Sequence, residues 1–207
     1  IYTGEDTLSL HDALPILMDM GLRGGLIKGD KLIGFFERNF VDRDFTALLH
    51  SFGCVATDLQ SGEPIVFQRG NTGTAVRASS SIPGVFPPVT IGGREYVDGG
   101  LVAPIPVRAA RGLGADVIVA VDISSRPSGK TKAGNLDLLL DTIAIMGGAM
   151  GKTELAAADV VIRPELRGLP ATNFQQRHEA ILEGEKAGFA AIARVRDAIA
   201  AWERKHN

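Results

Sequence analysis

Asp98 is the side chain whose neighbours best suit it to moving a proton. It ends the strand-like run Tyr96-Val97 and is followed by Gly99 and Gly100, so the backbone can turn sharply and pack close beside the carboxylate. A carboxylate held this way serves as half of a catalytic pair that takes a proton from a hydroxyl nucleophile. Asp-Gly is also a common turn dipeptide, and taken alone the triplet reads more readily as an ordinary turn. Proton transfer of this kind ordinarily needs a serine in a strained Gly-x-Ser-x-Gly elbow, and no such spacing occurs in the 207 residues. Ser79, Ser80 and Ser81 lack the flanking glycines that a strained elbow requires.

Other chemical groupings are weaker. Gly147-Gly148-Ala149-Met150-Gly151-Lys152-Thr153 has the flavour of a phosphate-binding loop, but the motif sets four residues between its two glycines, which would put the first at position 146, where Met146 stands. Leu136, Leu139, Leu140, Ile143 and Met146 also carry a helical period straight into it, where a strand is required. Gly24 to Gly29 is a glycine-rich stretch of the sort that donates amides to an oxyanion; with no elbow after it, it reads as a loop before a helix opening at Asp30. His11, His50, His178 and His206 show no metal-ligand spacing, so no metal or other cofactor is expected. Cys54 lies inside an apolar strand with no activating neighbour and reads as a packed thiol.

These groups must be positioned by a fold that the apolar pattern outlines. Phe52 to Leu59 and Pro64 to Gln68 read as strands joined by a turn at Ser61-Gly62-Glu63; Thr72 to Ser80 suits a short helix broken at Ile82-Pro83-Gly84. Val89 to Val97 holds a hairpin around Gly92-Gly93 that delivers Asp98 at its end, and Pro106 to Gly112 forms one or two helical turns. Asp116 to Asp122 is continuously apolar at its centre, which predicts a strand covered on both faces. A polar linker over Ser124 to Gly134, a long helix over Leu136 to Ala158, a buried strand over Asp159 to Arg163 and an amphipathic helix over Gln176 to Lys205 follow. Strands alternating with helices predict an α/β layered fold with a largely parallel sheet.

Composition bounds the class. Hydrophobic residues make up 45% and charged residues 22%, ordinary for a globular domain, and 207 residues suffice for one sizeable core. The net charge of −2 gives no reason to expect nucleic acid. A single cysteine fits a reducing compartment, and no apolar run reaches the length of a spanning helix.

The ordered series Arg77-Ala78-Ser79-Ser80-Ser81-Ile82-Pro83-Gly84-Val85-Phe86-Pro87-Pro88, then Tyr96-Val97-Asp98-Gly99-Gly100-Leu101, then Pro104-Ile105-Pro106-Val107 and Leu113-Gly114-Ala115-Asp116, closely resembles bacterial patatin-like phospholipases. The likeness extends back through Val55-Ala56-Thr57-Asp58-Leu59 and onward to Asp159-Val160-Val161-Ile162-Arg163-Pro164, covering roughly Gly21 to Ala200. The resemblance implies a three-layer α/β hydrolase with a largely parallel central sheet, and a serine acyl hydrolase using a Ser-Asp dyad without histidine. Asp98 matches the proton acceptor of that dyad, within the motif Asp98-Gly99-Gly100. The substrate it implies is a lipid or other acyl ester, with a cytoplasmic location that leaves contact with a membrane surface open; oligomeric state is not implied. Ile82, Pro83, Val85, Phe86 and Pro87 supply apolar surface suited to an acyl chain, or to core packing.

Gly4 to Ile16 resembles a translated sequencing adapter, so residues 1–16 are expected to be a non-native leader and 17–207 the carboxy-terminal two-thirds of the domain. In that case the fold is truncated at its amino terminus, the serine and oxyanion loop are missing, and these 207 residues alone are expected to be inactive. The competing expectation is a non-catalytic patatin-like scaffold that binds lipid or a protein.

Overall fold

The computed structural model describes residues 44–124, 134–166 and 176–206. The expectations for the leader, for Gly24 to Gly29, for the helix opening at Asp30 and for most of the Ser124 to Gly134 linker lie outside the described residues. The chain divides into two units, Ile1–Val102 and Ala103–Asn207.

The first unit is built on β1 (Cys54–Asp58), β2 (Pro64–Phe67), helix α1 (Thr72–Ser79), β3 (Val89–Ile91) and β4 (Arg94–Asp98). The strands form one sheet in the order β2-β1-β4-β3, with every pairing antiparallel. Short connections dictate the β1-β2 and β3-β4 pairings. Gly92 and Gly93 both adopt positive φ, 58° and 80°, the conformation a two-residue hairpin turn demands. At the other hairpin the Asp58 carboxylate accepts from the Gln60 and Ser61 amides at 2.8 and 3.3 Å, and also from Arg94 Nε, tying the end of β1 to the start of β4. That arginine bond, aided by the two amides, holds the Asp58 carboxyl below its ordinary value.

All five residues of β1 are buried, as befits a central strand with α1 across it. Ala56 of β1 and Ala78 of α1 are fully buried, and small side chains at both positions let helix and sheet approach closely. The Phe67 ring meets the Tyr96 ring edge-on at 5.1 Å. Asn71 caps α1, accepting from the Thr74 amide at 2.8 Å. Cys54 packs with Phe45 and Ala75, and burial pushes its thiol up to about 11. Native protein at pH 8.5 is therefore expected to react with a thiol-specific disulfide reagent about a hundred times more slowly than urea-unfolded protein, because the thiolate is the attacking species; equal rates would show that Cys54 is accessible and ionised.

The second unit contains α2 (Val107–Gly112), β5 (Val119–Val121), α3 (Asn135–Leu155), β6 (Val160–Ile162) and α4 (Arg177–His206). β5 and β6 pair in parallel, the long crossover helix α3 standing between them in sequence. Their core is Ile105, Val107, Ile118, Ala120 and Leu155. Among the described residues parallel pairing is confined to β5 and β6, so the expectation of a largely parallel sheet holds for this pair and not for the four-stranded sheet.

β5 also corrects the expectation of burial on both faces: only Ala120 is buried, whereas Val119 and Val121 point the other way and are exposed. Gly147 to Thr153 lies within α3, as its helical period predicts, and a Cβ added at Gly151 would stand 3.5 Å from Ile105 and 3.9 Å from Pro104. Pro106 offers no side-chain cap to α2. Glu154 of α3 supplies one instead, accepting from the Arg108 amide at 2.9 Å beside the Arg108 guanidinium. Glu154→Ala is expected to cost about 1–3 kcal/mol in urea unfolding, and Glu154→Gln, which keeps the acceptor, less. Equal losses in the two variants would remove the capping role. Asp159 closes the unit, accepting from the Ile118 amide at 2.8 Å and from Arg111 at 2.9 Å.

Candidate active site

Asp98 is the last residue of β4 and pairs with Ala56 of β1. Three hydrogen bonds fix it. Its amide donates to the Ser81 carbonyl at 2.9 Å, its carbonyl accepts from Thr57 Oγ1 at 2.8 Å, and its Oδ1 accepts from the Gly100 amide at 2.6 Å. Backbone and carboxylate are therefore held separately, which fixes where the acid points.

The two glycines have distinct reasons to be there. A Cβ on Gly99 would lie 2.1 Å from the Val55 carbonyl oxygen, so the chain passes β1 in a space no side chain fits. That same oxygen accepts from Ser79 Oγ at 2.7 Å. A Cβ on Gly100 would stand 2.9 Å from Asp98 Oδ1, crowding the oxygen that the Gly100 amide holds. Gly99–Leu101 then form a single 3₁₀ turn, with Asp98 as its cap.

Asp98 is half-buried, and among the described residues its Oδ2 takes no hydrogen bond. Loss of solvent raises the carboxyl above its ordinary value near 3.8, and the Gly100 amide works in the opposite direction without cancelling it. The arrangement leaves one oxygen pinned and the other available for a proton. Oδ2 is thus suited to general-base work, whereas Asp58, saturated by donors, is not.

The residues following α1 form a knot beneath this turn. Arg77 is buried; its guanidinium donates to Ser81 Oγ at 2.5 Å and to the Pro87 carbonyl at 3.3 Å, and lies 4.8 Å over the Phe86 ring. Ser81, fully buried, returns a bond to the Arg77 carbonyl at 2.7 Å. Ile82, Pro83, Val85 and Pro87 are half-buried, while Phe86 is buried under the guanidinium. Ser79 and Ser81 spend their hydroxyl protons on backbone carbonyls and are not placed as nucleophiles.

Sequence reasoning gave no role to Thr57, Ser79, Ser81 or Arg77, although all four feed the Asp98 turn or its support. The available signal was a cluster of hydrogen-bonding side chains inside otherwise apolar segments, since polar groups there must find partners. Among the described residues no three His, Cys, Asp or Glu side chains gather as a metal site, and no helix is long and apolar enough to cross a membrane.

Comparison with known proteins matches residues 5–111 to the family model described as patatin-like phospholipase. The chain belongs to that family. The match takes in all of β1 to β4 and the Asp98 turn, and begins at residue 5, inside the stretch read from the sequence as a leader. An NTE family protein of Mycobacterium bovis is 28% identical over 196 residues, covering 82% of this chain and 33% of the relative. A second NTE family protein of that organism is 40% identical over 81 residues, 39% of this chain and 22% of the relative. A lysophospholipase of Aspergillus oryzae is 36% identical over 92 residues, 44% of this chain and 6% of the fungal protein. The chain thus spans a third or less of the length of these relatives. Membership of the patatin-like phospholipase family accords with the α/β make-up of the described residues.

Proposed function

We infer that Asp98 is the proton acceptor of a Ser-Asp dyad that hydrolyses lipid or related carboxylic esters. The observation carrying this reading is a half-buried carboxylate with Oδ1 fixed by the Gly100 amide, a raised proton affinity and an uncommitted Oδ2. As a serine oxygen attacks the ester carbonyl, its proton passes to Asp98 while the carbonyl becomes an oxyanion. Collapse of that intermediate expels the alcohol, which takes the proton, and leaves an acyl-serine. Water, deprotonated by the same carboxylate, then releases the acid and restores the serine.

A carboxylate is a weak base toward a hydroxyl, so proton removal must accompany attack, and oxyanion donors must stabilise the charge that develops. The 207 residues contain no Gly-x-Ser-x-Gly, so on this reading they have no acyl-enzyme route by themselves. Ile82, Pro83, Val85 and Pro87 line the acyl side of the site in this proposal, and Phe86 stiffens it from below. The substrate is met in the cytoplasm or at a membrane surface facing it.

The alternative reading is a lipid- or protein-binding scaffold without turnover, which absence of an elbow from the complete gene would favour. A p-nitrophenyl butyrate assay separates the two. The 207-residue polypeptide is expected to be inactive, and a fusion carrying an upstream patatin-like elbow and oxyanion loop is expected to turn over. A fusion that folds and binds lipid without turnover would support the scaffold.

A further inference from the structure

Helix α4 presents two unlike faces. Gly184, Ala187, Gly188, Ala191, Val195, Ala198 and Trp202 are buried or half-buried; Ala191 is fully buried, and the neighbouring Arg194 guanidinium donates to the Val161 carbonyl of β6 at 3.1 Å. That side meets its own unit. On another side, positions 178, 182, 185, 189, 192, 196, 199 and 203 are all exposed and follow one another at spacings of alternately four and three residues. This is the spacing of a coiled-coil seam, sustained over most of a 30-residue helix. Four of its members are apolar: Leu182 (52% exposed), Phe189 (73%), Ile192 (41%) and Ile199 (42%).

The order along the seam identifies the occupant. Two copies of α4 laid antiparallel about a dyad between residues 190 and 191 place Phe189 opposite Ile192, Leu182 opposite Ile199, Glu185 opposite Arg196 and His178 opposite Glu203. Every apolar residue meets an apolar one, and each charge of Glu185 and Arg196 meets its opposite. A parallel pairing would instead set Glu185 on Glu185, Arg196 on Arg196 and Glu203 on Glu203. Self-complementarity under a two-fold axis is the property an isologous interface requires, and a seam matching an unrelated partner has no reason to show it.

We propose that the exposed seam of α4 is a homodimer interface, an antiparallel two-helix pairing with a second copy of this chain. Sedimentation equilibrium of the 207-residue chain through the micromolar range is expected to show a monomer–dimer equilibrium. Phe189→Asp should abolish it. Glu185→Arg or Arg196→Glu alone should weaken it about tenfold or more, because each occurs twice per dimer and sets like charges together. The double variant Glu185→Arg with Arg196→Glu should restore it, a recovery that general surface damage cannot produce. The proposal is overturned if the chain stays monomeric, or if its dimer ignores the single reversals. It is also overturned if the double variant is weaker than either single one. Monomers that instead bind phosphatidylcholine–phosphatidylglycerol vesicles through Phe189 would assign the face to lipid and equally overturn it.

Discussion

Asp98→Asn, made in a hydrolysis-competent fusion, is expected to lower kcat for ester hydrolysis by about 100-fold to 10,000-fold, the range associated with loss of a general base. Asparagine keeps an acceptor for the Gly100 amide and nearly the same shape, so the local fold should survive. The variant should also be more stable than the parent at neutral pH. Burial raises the Asp98 carboxyl, so the folded state binds its proton more tightly than the unfolded chain does. That contribution favours folding below the unfolded value and is lost as pH rises through the folded value, above which the buried charge costs stability. The advantage of Asp98→Asn in Tm should therefore be present at pH 7 and shrink as the pH falls toward 3.8, the ordinary carboxyl value. A variant that loses activity and stability together would indicate a structural aspartate. The activity of the competent parent should in turn fall on the acid side as Asp98 takes up its proton.

Gly99→Ala is expected to be the most damaging single methyl group in the described part of the first unit. Its Cβ would sit 2.1 Å from the Val55 oxygen and 2.6 Å from the Val55 carbonyl carbon, both backbone atoms of a fully buried strand that cannot swing away. Relief requires moving β1 away from the Asp98 turn, which breaks the Ser79 bond to Val55 and loosens the Thr57 bond to Asp98. A cost of about 2–4 kcal/mol follows, a loss of roughly 5–15 °C in Tm for a chain of this size. Gly112→Ala is the matched control: nothing lies within 4 Å of its added carbon, in the last turn of α2. Lower backbone entropy in the unfolded chain should stabilise that variant by about 0.4–1 kcal/mol. Equal melting temperatures for the two variants would mean that the close passage at Gly99 is not rigid.

Much of this geometry was readable beforehand because it is local. Gly92-Gly93 announces a tight hairpin, and the hairpin delivers Asp98 to the end of β4. The period of Leu136 to Met146 identifies α3 and removes the apparent phosphate loop within it. What escaped is what depends on distant pairing. β1 lies between β2 and β4 because residues some forty positions apart meet, and no local pattern specifies that neighbour. The expectation of a parallel sheet rests on the alternation of strands with helices; it holds for β5 and β6, while the short turns between β1 and β2 and between β3 and β4 force the opposite sense. An apolar run such as Val117 to Val121 signals only suitability for burial; Val119 and Val121 show that it does not specify a covering layer. The support of Asp98 by Thr57, Ser81 and Arg77 was hidden for the same reason, since each partner comes from a different segment.

The most direct measurement of the role assigned to Asp98 is a pre-steady-state burst with p-nitrophenyl butyrate, comparing the competent fusion with its Asp98→Asn variant. The expected result is a burst of p-nitrophenol stoichiometric with enzyme in the parent and none on the same timescale in the variant. A burst of unchanged rate and amplitude in a correctly folded Asp98→Asn protein would contradict the assignment of Asp98 as the group that takes the serine proton.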